Sequence, residues 1–316
     1  MSKFSVLRLL PQDNRDFETH PEGAIDKYWL DLPDLGRSLI KIDPRGAWVE
    51  KVTASLAEQL GLPVAICELV EGSDKQQMIA SPTYLKAGEI EFAGERLLIN
   101  AFGINYLYSP ENVLSVLDSN NILLPQDFDN NPVISKASDL MVGYLIFDSW
   151  TGNIDRHCKN WGITQQLSGE KILLPTYDHG LSLGVRMPED KLPLDLTDYS
   201  GSVRSSIYSQ NGGTLSMNDL ASCLLELRPQ ATNYWIERVS TIDRVLIEQT
   251  FDRLPDGWGS DIQWTFAIDL LNASRDRLIL INQSIQEKPS VDIKIKDDRH
   301  PAPSSPRSPK RSLGGR

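Results

Sequence analysis

The sequence predicts an α+β fold of two lobes: a small β-rich N-lobe with one main helix, and a larger, mostly helical C-lobe. Three observations predict it. Residues 1–45 alternate short apolar runs with turn signals, as strands do. One clear helical period follows, over "RGAWVEKVTASLAEQLGLP". From about residue 109 onward most apolar runs carry helical spacing. With 316 residues, 40% of them hydrophobic, the chain can bury the core that two lobes need.

"KYWLDLP" and "RSLIKID" read as short strands, split by Pro33, Asp34, Leu35 and Gly36 into a hairpin. In the helix that follows, Val49, Val52, Leu56 and Leu60 share one face, and Gly61 with Pro63 stops it. "VAICELV" and "QQMIAS" are two further strands. "SPENVLSVL" opens with a Ser-Pro-Glu helix start. "ASDLMVGYLIFDSWTG", "SMNDLASCLLEL", "NYWIERVSTI" and "SDIQWTFAIDLLNASRDRLILINQSI" are helical, and between them "NWGIT…KILLPTYDHG" reads as a β-hairpin. The expected division is an N-lobe over 1–105, a C-lobe over 106–287 and a tail over 288–316. Within the tail, 297–316 is rich in Pro, Ser and Arg, has almost nothing to bury, and is expected to be disordered.

Charge and composition narrow the function. The net charge of -11 is wrong for a protein that relies on phosphate contacts, so no direct nucleic-acid partner is expected. Cys67, Cys158 and Cys223 are far apart, show no metal-binding spacing and form no disulfide framework, which suits a reducing cytoplasm. The first residues lack the apolar core of a signal peptide, and no window approaches a membrane span, so no membrane partner is expected.

The most informative stretch is "WTGNIDRHCKNWGIT", residues 150–164. It packs an acid, a cation, a base and an amide between two apolar runs. Asp155 and Asn160 lie five residues apart, and the next acid beyond an apolar strand is Asp178 in "LLPTYDHG". Phosphoryl transfer needs such a set: one carboxylate orients the acceptor hydroxyl, while an amide and a second carboxylate offer oxygens to Mg²⁺ on the nucleotide phosphates. Protein kinases use H-R-D-x-x-x-x-N, with the same acid-to-amide spacing, followed by D-F-G. Here the triplet is reversed to D-R-H, and "YDHG" stands in the second place. Asp and Asn also cap ordinary turns, so the flanking apolar helix, the Gly152-Asn153 turn and the following strand are what favour catalysis. A kinase also needs a lysine for the phosphates and a helical acid to hold it. Lys41, on an apolar strand, and Glu50, one turn into the first helix and in line with Ala54, Ala57 and Gly61, supply both.

Four segments resemble the HipA-like kinase family, bacterial Ser/Thr kinases of a protein-kinase-like fold related to phosphatidylinositol kinases. They are "SLIKID", "WVEKVTASLAEQLGLPVAICELV", "IASPTYLKAGEIEFAGERLL" and "GNIDRHCKNWGIT…ILLPTYDHGLSLG". The resemblance spans roughly residues 20–287, judged by motif order. It implies ATP and Mg²⁺ as cofactors, Asp155 as the catalytic acid-base, and Asn160 and Asp178 as metal ligands. It further implies Lys41 on the ATP phosphates with Glu50 as its partner, Ala80 and Ser81 as the interlobe hinge, and His157 beside the nucleotide. A protein substrate such as an aminoacyl-tRNA synthetase, and an antitoxin partner, follow from the same likeness. The chain departs from the pattern too. The extension that precedes the kinase domain in full-length HipA toxins is expected to be missing. The phosphate-covering loop expected before "KYWL" holds one glycine, Gly23, and no serine, which speaks against self-silencing on a loop serine. Two other functions stay open at this point: a phosphoinositide-type lipid kinase, and a nucleotide-binding pseudokinase serving as an interaction module.

Overall fold

A computed structural model of the chain describes residues 2–9, 26–126, 128, 131–193 and 195–286. Gly23 and the tail over 288–316 lie outside the described residues. Strands β1 (Val6–Arg8), β2 (Lys27–Leu32), β3 (Gly36–Lys41), β4 (Glu68–Glu71) and β5 (Gln77–Pro82) make one sheet in the order β1-β4-β5-β3-β2. β1 runs parallel to β4, and the other pairs are antiparallel. The expected hairpin is β2–β3, in register from Lys27–Lys41 to Leu32–Gly36.

The alternation of side chains gives this sheet two faces. Tyr28, Leu30, Ile40, Val70, Met78 and Ala80 form a small core on one side. Leu69 and Ile79 point the other way, into the main core with helix α1 (Ala47–Leu60). Lys41 shares that second face, since its cross-strand partners are Lys27 and Ile79. α1 ends where the sequence said it would: Gly61 takes the left-handed conformation, φ 79°, and its N–H returns to the carbonyls of Ala57 and Glu58.

The helical lobe is built around α4 (Ala137–Thr151), in which every residue but Asp139 is buried. A helix apolar on all sides belongs in an interior, and α4 is ringed by α3 (Pro110–Ser119), α6 (Met217–Leu227), α7 (Pro229–Ser240) and α9 (Asp261–Gln286). The Ser-Pro-Glu start is a true cap: the Ser109 hydroxyl accepts from the Asn112 N–H at 3.3 Å. Among the described residues, no helix is long and apolar enough to cross a membrane.

Several elements were not foreseen. Strand β6 (Ile90–Ala93) and helix α2 (Gly94–Phe102) lie in and just after "IASPTYLKAGEIEFAGERLL", a segment singled out by its resemblance alone. β6 pairs with β7 (Gly162–Gln165), which pairs with β8 (Lys171–Leu173). β6 and α2 precede the boundary expected between 105 and 106. The chain crosses between lobes after β5, over 83–89, because β6 already hydrogen-bonds to a C-lobe strand. Helix α5 (Leu196–Ser202), the hairpin of β9 (Arg204–Tyr208) and β10 (Thr214–Ser216), and helix α8 (Arg244–Phe251) complete the lobe. A second tie joins the lobes behind α1. There the Ala65 N–H donates to the Thr176 carbonyl and the Thr176 N–H to the Pro63 carbonyl, both at 2.9 Å.

Helix packing in the core is tight enough to test. A Cβ at Gly143 of α4 would sit 2.5 Å from the Trp235 ring of α7. That ring is fixed by its own N–H, which donates to the Asp139 carbonyl at 3.1 Å. Gly143→Ala gains about 1 kcal/mol of helix propensity but overpacks a site that cannot yield, a cost of about 1–3 kcal/mol. We expect a net loss of stability, read as a lower denaturant midpoint at unchanged m-value.

Candidate active site

The stretch 150–164 becomes a loop wound back onto the end of α4. Gly152 closes the helix in the left-handed conformation, φ 65°. Asn153 then turns the chain, as Asn does in Asx turns: its Oδ1 accepts from the Asp155 N–H at 3.0 Å, and its Nδ2 donates to Asp148 Oδ1 at 2.8 Å. The turn chemistry therefore falls to Asn153, and the Asp155 side chain stays one-third exposed, on the cleft side. Asn160 Nδ2 donates to the Asp155 carbonyl at 2.8 Å and to its carboxylate at 3.3 Å. With its amide N–H groups so engaged, the Asn160 amide oxygen is the atom left to face a ligand.

Arg156 organises the loop from inside. Only 1% exposed, it pairs with Asp148 through Nε at 2.7 Å and Nη2 at 3.0 Å. Nη1 donates to the Asn160 carbonyl and, at 2.9 Å, to the Tyr177 carbonyl. Nη2 also reaches Thr176 Oγ1 at 2.9 Å and His179 Nδ1 at 3.3 Å. Since arginine can only donate, His179 Nδ1 accepts, and Nε2 carries the proton toward Thr176 Oγ1 at 3.0 Å. Burial, with the Arg156 cation beside it, holds the His179 imidazole neutral, well below its ordinary range.

Across the cleft, Lys41 Nζ lies 3.1 Å from Glu50 Oε1 and 2.7 Å from Asp178 Oδ1. Burial opposes the lysine's charge, but the two carboxylates hold its ammonium above the usual lysine range. Burial likewise works against the Asp178 charge, and Lys41 outweighs it, so that carboxyl sits well below the usual carboxylate range. Glu50, 4% exposed, is pushed up by burial against the pull of Lys41. Its other oxygen accepts from the His179 N–H at 2.9 Å, which ties α1 to the Asp178 segment. Asp178 itself adopts φ 61°. A non-glycine residue pays roughly 1–3 kcal/mol for such a conformation, and residues that keep it cluster at functional sites.

The structure thus gathers Lys41, Glu50 and Asp178 by direct contact, and Asp155 with Asn160 by another. The two groups sense each other, because burial raises the Asp155 carboxyl, His157 pulls it down and Asp178 adds to the rise. His157 stands on the rim, 43% exposed, its Nε2 3.9 Å from Asp155 Oδ1. It also holds the loop in shape, since Nδ1 accepts from the Lys159 N–H at 3.2 Å. Ala80 does not face the cleft. It pairs with Ile40 and Glu68 on either side, and its side chain is buried in the small core behind the sheet. The expected hinge is the backbone near Ala80 and Ser81, and pairing with β4 ends at Ala80. The Ser81 hydroxyl is itself used, donating to the Ile66 carbonyl at 2.9 Å.

Three contributors were missed. Lys27 sits opposite Lys41 on the cleft face, its charge disfavoured by burial and by Lys41 and favoured by Asp178. Its signal was two lysines brought level by the hairpin register. Asp148 was legible as the one acid beyond the first turn of a mostly apolar helix. His179 was read only as part of "YDHG".

The donor set suits a magnesium nucleotide. Asp178 offers a carboxylate oxygen and Asn160 an amide oxygen, the hard ligands Mg²⁺ takes alongside phosphate oxygens and water. Among the described residues no group of three or more His, Cys, Asp or Glu is placed to hold a metal by protein ligands alone.

No family model and no curated protein matches the chain. Solved structures do. CtkA, a proinflammatory kinase of Helicobacter pylori, superposes with a TM-score of 0.70 at 17% identity, over 88% of this chain and 97% of CtkA. HipA of Shewanella oneidensis, solved in a toxin–antitoxin complex with HipB and operator DNA, gives a TM-score of 0.56 at 14% identity, over 87% of this chain and 70% of HipA. The chain shares their fold, and the bilobal, protein-kinase-like α+β architecture expected from the sequence is the one observed.

Removing the Arg156 charge tests the frame of the site. Arg156→Met fills similar volume but strands Asp148 as a buried, unpaired carboxylate. Breaking a buried pair in this way typically costs about 3–5 kcal/mol. We expect a loss of that size in chemical denaturation, and Asp148→Asn combined with Arg156→Met should recover part of it.

Proposed function

We propose that this protein is an ATP- and Mg²⁺-dependent protein serine/threonine kinase of HipA-like type. The observation that carries the reading is Lys41 held between Glu50 and Asp178, on opposite lobes, at 3.1 and 2.7 Å. A buried lysine with two carboxylates is costly to assemble, and phosphoryl transfer is a chemistry that uses all three. Lys41 and Lys27 would meet the ATP phosphates, and the backbone from Ser81 onward would hold the adenine. Asn160 and Asp178 would hold magnesium, which when bound neutralises charge developing on the phosphates. Asp155 accepts a hydrogen bond from the acceptor hydroxyl and takes its proton as the phosphoryl group transfers. The raised Asp155 carboxyl, pushed up chiefly by burial, moves toward the range in which a general base works best. His157 stands at the rim, beside the phosphates.

The likeness to a HipA crystallised with HipB supports a place in a toxin–antitoxin module, with an antitoxin as partner and a protein hydroxyl, such as one on an aminoacyl-tRNA synthetase, as acceptor. The presence of lysine, both acids and the amide favours a working enzyme over a pseudokinase. Incubation with γ-labelled ATP and Mg²⁺ against whole lysate tests the class. Label on protein is expected; label on lipid would transfer the assignment to a lipid kinase, and no label would end it.

Four substitutions separate the roles. Asp155→Asn should lower phosphotransfer about 100- to 10,000-fold while Mg·ATP still binds, because no metal ligand is lost. Asp178→Asn should weaken metal-dependent nucleotide binding, and Asn160→Ala should do so partly, with rescue by excess Mg²⁺. Lys41→Met should shrink the thermal shift that Mg·ATP induces. Nucleotide affinity at several Mg²⁺ concentrations, alongside turnover, distinguishes them. If Asp155→Asn abolishes binding and Asp178→Asn spares it, the two acids have been assigned the wrong way round.

A further inference from the structure

Glu50 can serve Lys41 only if α1 is turned correctly about its own axis. Side chains reach about 5–6 Å from a helix axis, so a turn of roughly 25° would carry the carboxylate about 2.5 Å and break a contact of 3.1 Å. Anchors at the two ends of α1 fix where the axis runs. Trp48 packs on Phe251 with ring centroids 6.0 Å apart, and Arg238 Nε donates to the Leu60 carbonyl at 3.0 Å. The flank next to Glu50 is held differently.

Lys51 leaves the helix on that flank. Its Nζ donates to the Cys67 carbonyl at 2.7 Å and to Glu68 Oε2 at 2.8 Å, and lies 5.2 Å from the ring centroid of Phe4. The Arg253 guanidinium lies 4.1 Å from the same ring centroid. Among the described residues no carboxylate pairs with Arg253; Nη1 reaches only Ser55 Oγ, at 3.4 Å, one turn beyond Lys51. Phe4 is 6% exposed and pinned by its backbone, whose N–H donates to the Arg253 carbonyl at 2.6 Å. Lys3 Nζ adds a bond to the Leu254 carbonyl at 2.7 Å. Just beyond Arg253 a groove of about 450 Å³ opens between α1 and α8, lined by Glu58, Gln59, Leu246 and Gln249. Across it Gln59 Nε2 donates to Thr250 Oγ1 at 2.9 Å.

We propose that Phe4, Lys51 and Arg253 are positioning residues: one aromatic ring between two cations joins the amino-terminal segment, α1 and the C-lobe, and sets the rotation of α1 that presents Glu50 to Lys41. The geometric part stands without the kinase reading; the effect on turnover rests on it.

The His179 N–H reports on Glu50 directly, because it donates to Glu50 Oε2 at 2.9 Å. Hydrogen exchange at that amide, in the full chain without nucleotide, is the primary measurement, with the amides of α4 as internal reference. In Phe4→Ala the His179 amide should exchange about fivefold faster, the scale of losing cation–π contacts, while α4 keeps its protection. Phe4→Trp, which restores the π face, should restore protection. The value of kcat/KM for ATP should fall and recover in parallel. An unchanged His179 amide, an equal loss throughout α4, or no recovery in Phe4→Trp would overturn the proposal. If wild-type protein transfers no phosphate while the His179 amide responds as expected, the kinase reading falls and the positioning role stands.

Discussion

A single buried guanidinium sets the shape of the site. Arg156 has five N–H donors in a rigid plane, and together its nitrogens reach three pieces of chain: Asp148 at the end of α4, the Asn160 carbonyl within the loop, and the Tyr177 carbonyl, Thr176 and His179 in the segment that carries Asp178. Taking such a charge out of water is expensive, and it is tolerated because a bidentate carboxylate compensates it and no hydrogen stays idle. The positions of Asp155 and Asn160 follow from this. Asp155 precedes the buried arginine and Asn160 closes the turn over it, so a five-residue interval places both beside the cleft. Lysine, a point donor on a flexible stem, could not tie three segments into one plane.

A second charge cluster stands on this frame. Lys41 comes from the sheet, Glu50 from α1 and Asp178 from the C-lobe. The cluster is more than a pair, because Glu50 also accepts from the His179 N–H, one bond away from the Arg156 network. Electrostatics therefore runs without interruption from the end of α4 to the N-lobe sheet. On the outer side Arg186 reaches Asp43 at 3.1 Å and adds another contact across the lobes. The arrangement is pre-organised: Lys41, Glu50, Asp178 and Asn160 hold their positions through contacts within the protein.

The likeness in fold to CtkA and HipA at 17% and 14% identity shows how little sequence this architecture needs. The core requires apolar volume at suitable spacings, which many sequences provide. The site requires a handful of residues at fixed places on rigid supports. The triplet reads D-R-H rather than H-R-D, and its arginine lies beneath the loop, held by two backbone carbonyls, Asp148, Thr176 and His179 rather than by a particular neighbour in sequence.

The sequence by itself determined the elements with strong local period or clear ends: the β2–β3 hairpin around Gly36, α1 with its Gly61 stop, α3 with its Ser109 cap, and the apolar α4. It also singled out Asp155, Asn160 and Asp178 by an acid-to-amide interval of five and an acid after the next strand, and it paired Lys41 with Glu50, which lie 3.1 Å apart. Tertiary structure decided the rest. β6 and α2 carry weak local signals and exist because β7 offers β6 a pairing edge far along the chain. Lys27 came level with Lys41 through hairpin register, and strand alternation turned the Ala80 side chain to the far face of the sheet. Asp148 and His179 gained their roles from Arg156, whose partners converge only when three segments meet. Local propensity records what a residue does with its neighbours in sequence, whereas burial, charge pairing and register depend on neighbours that folding alone supplies.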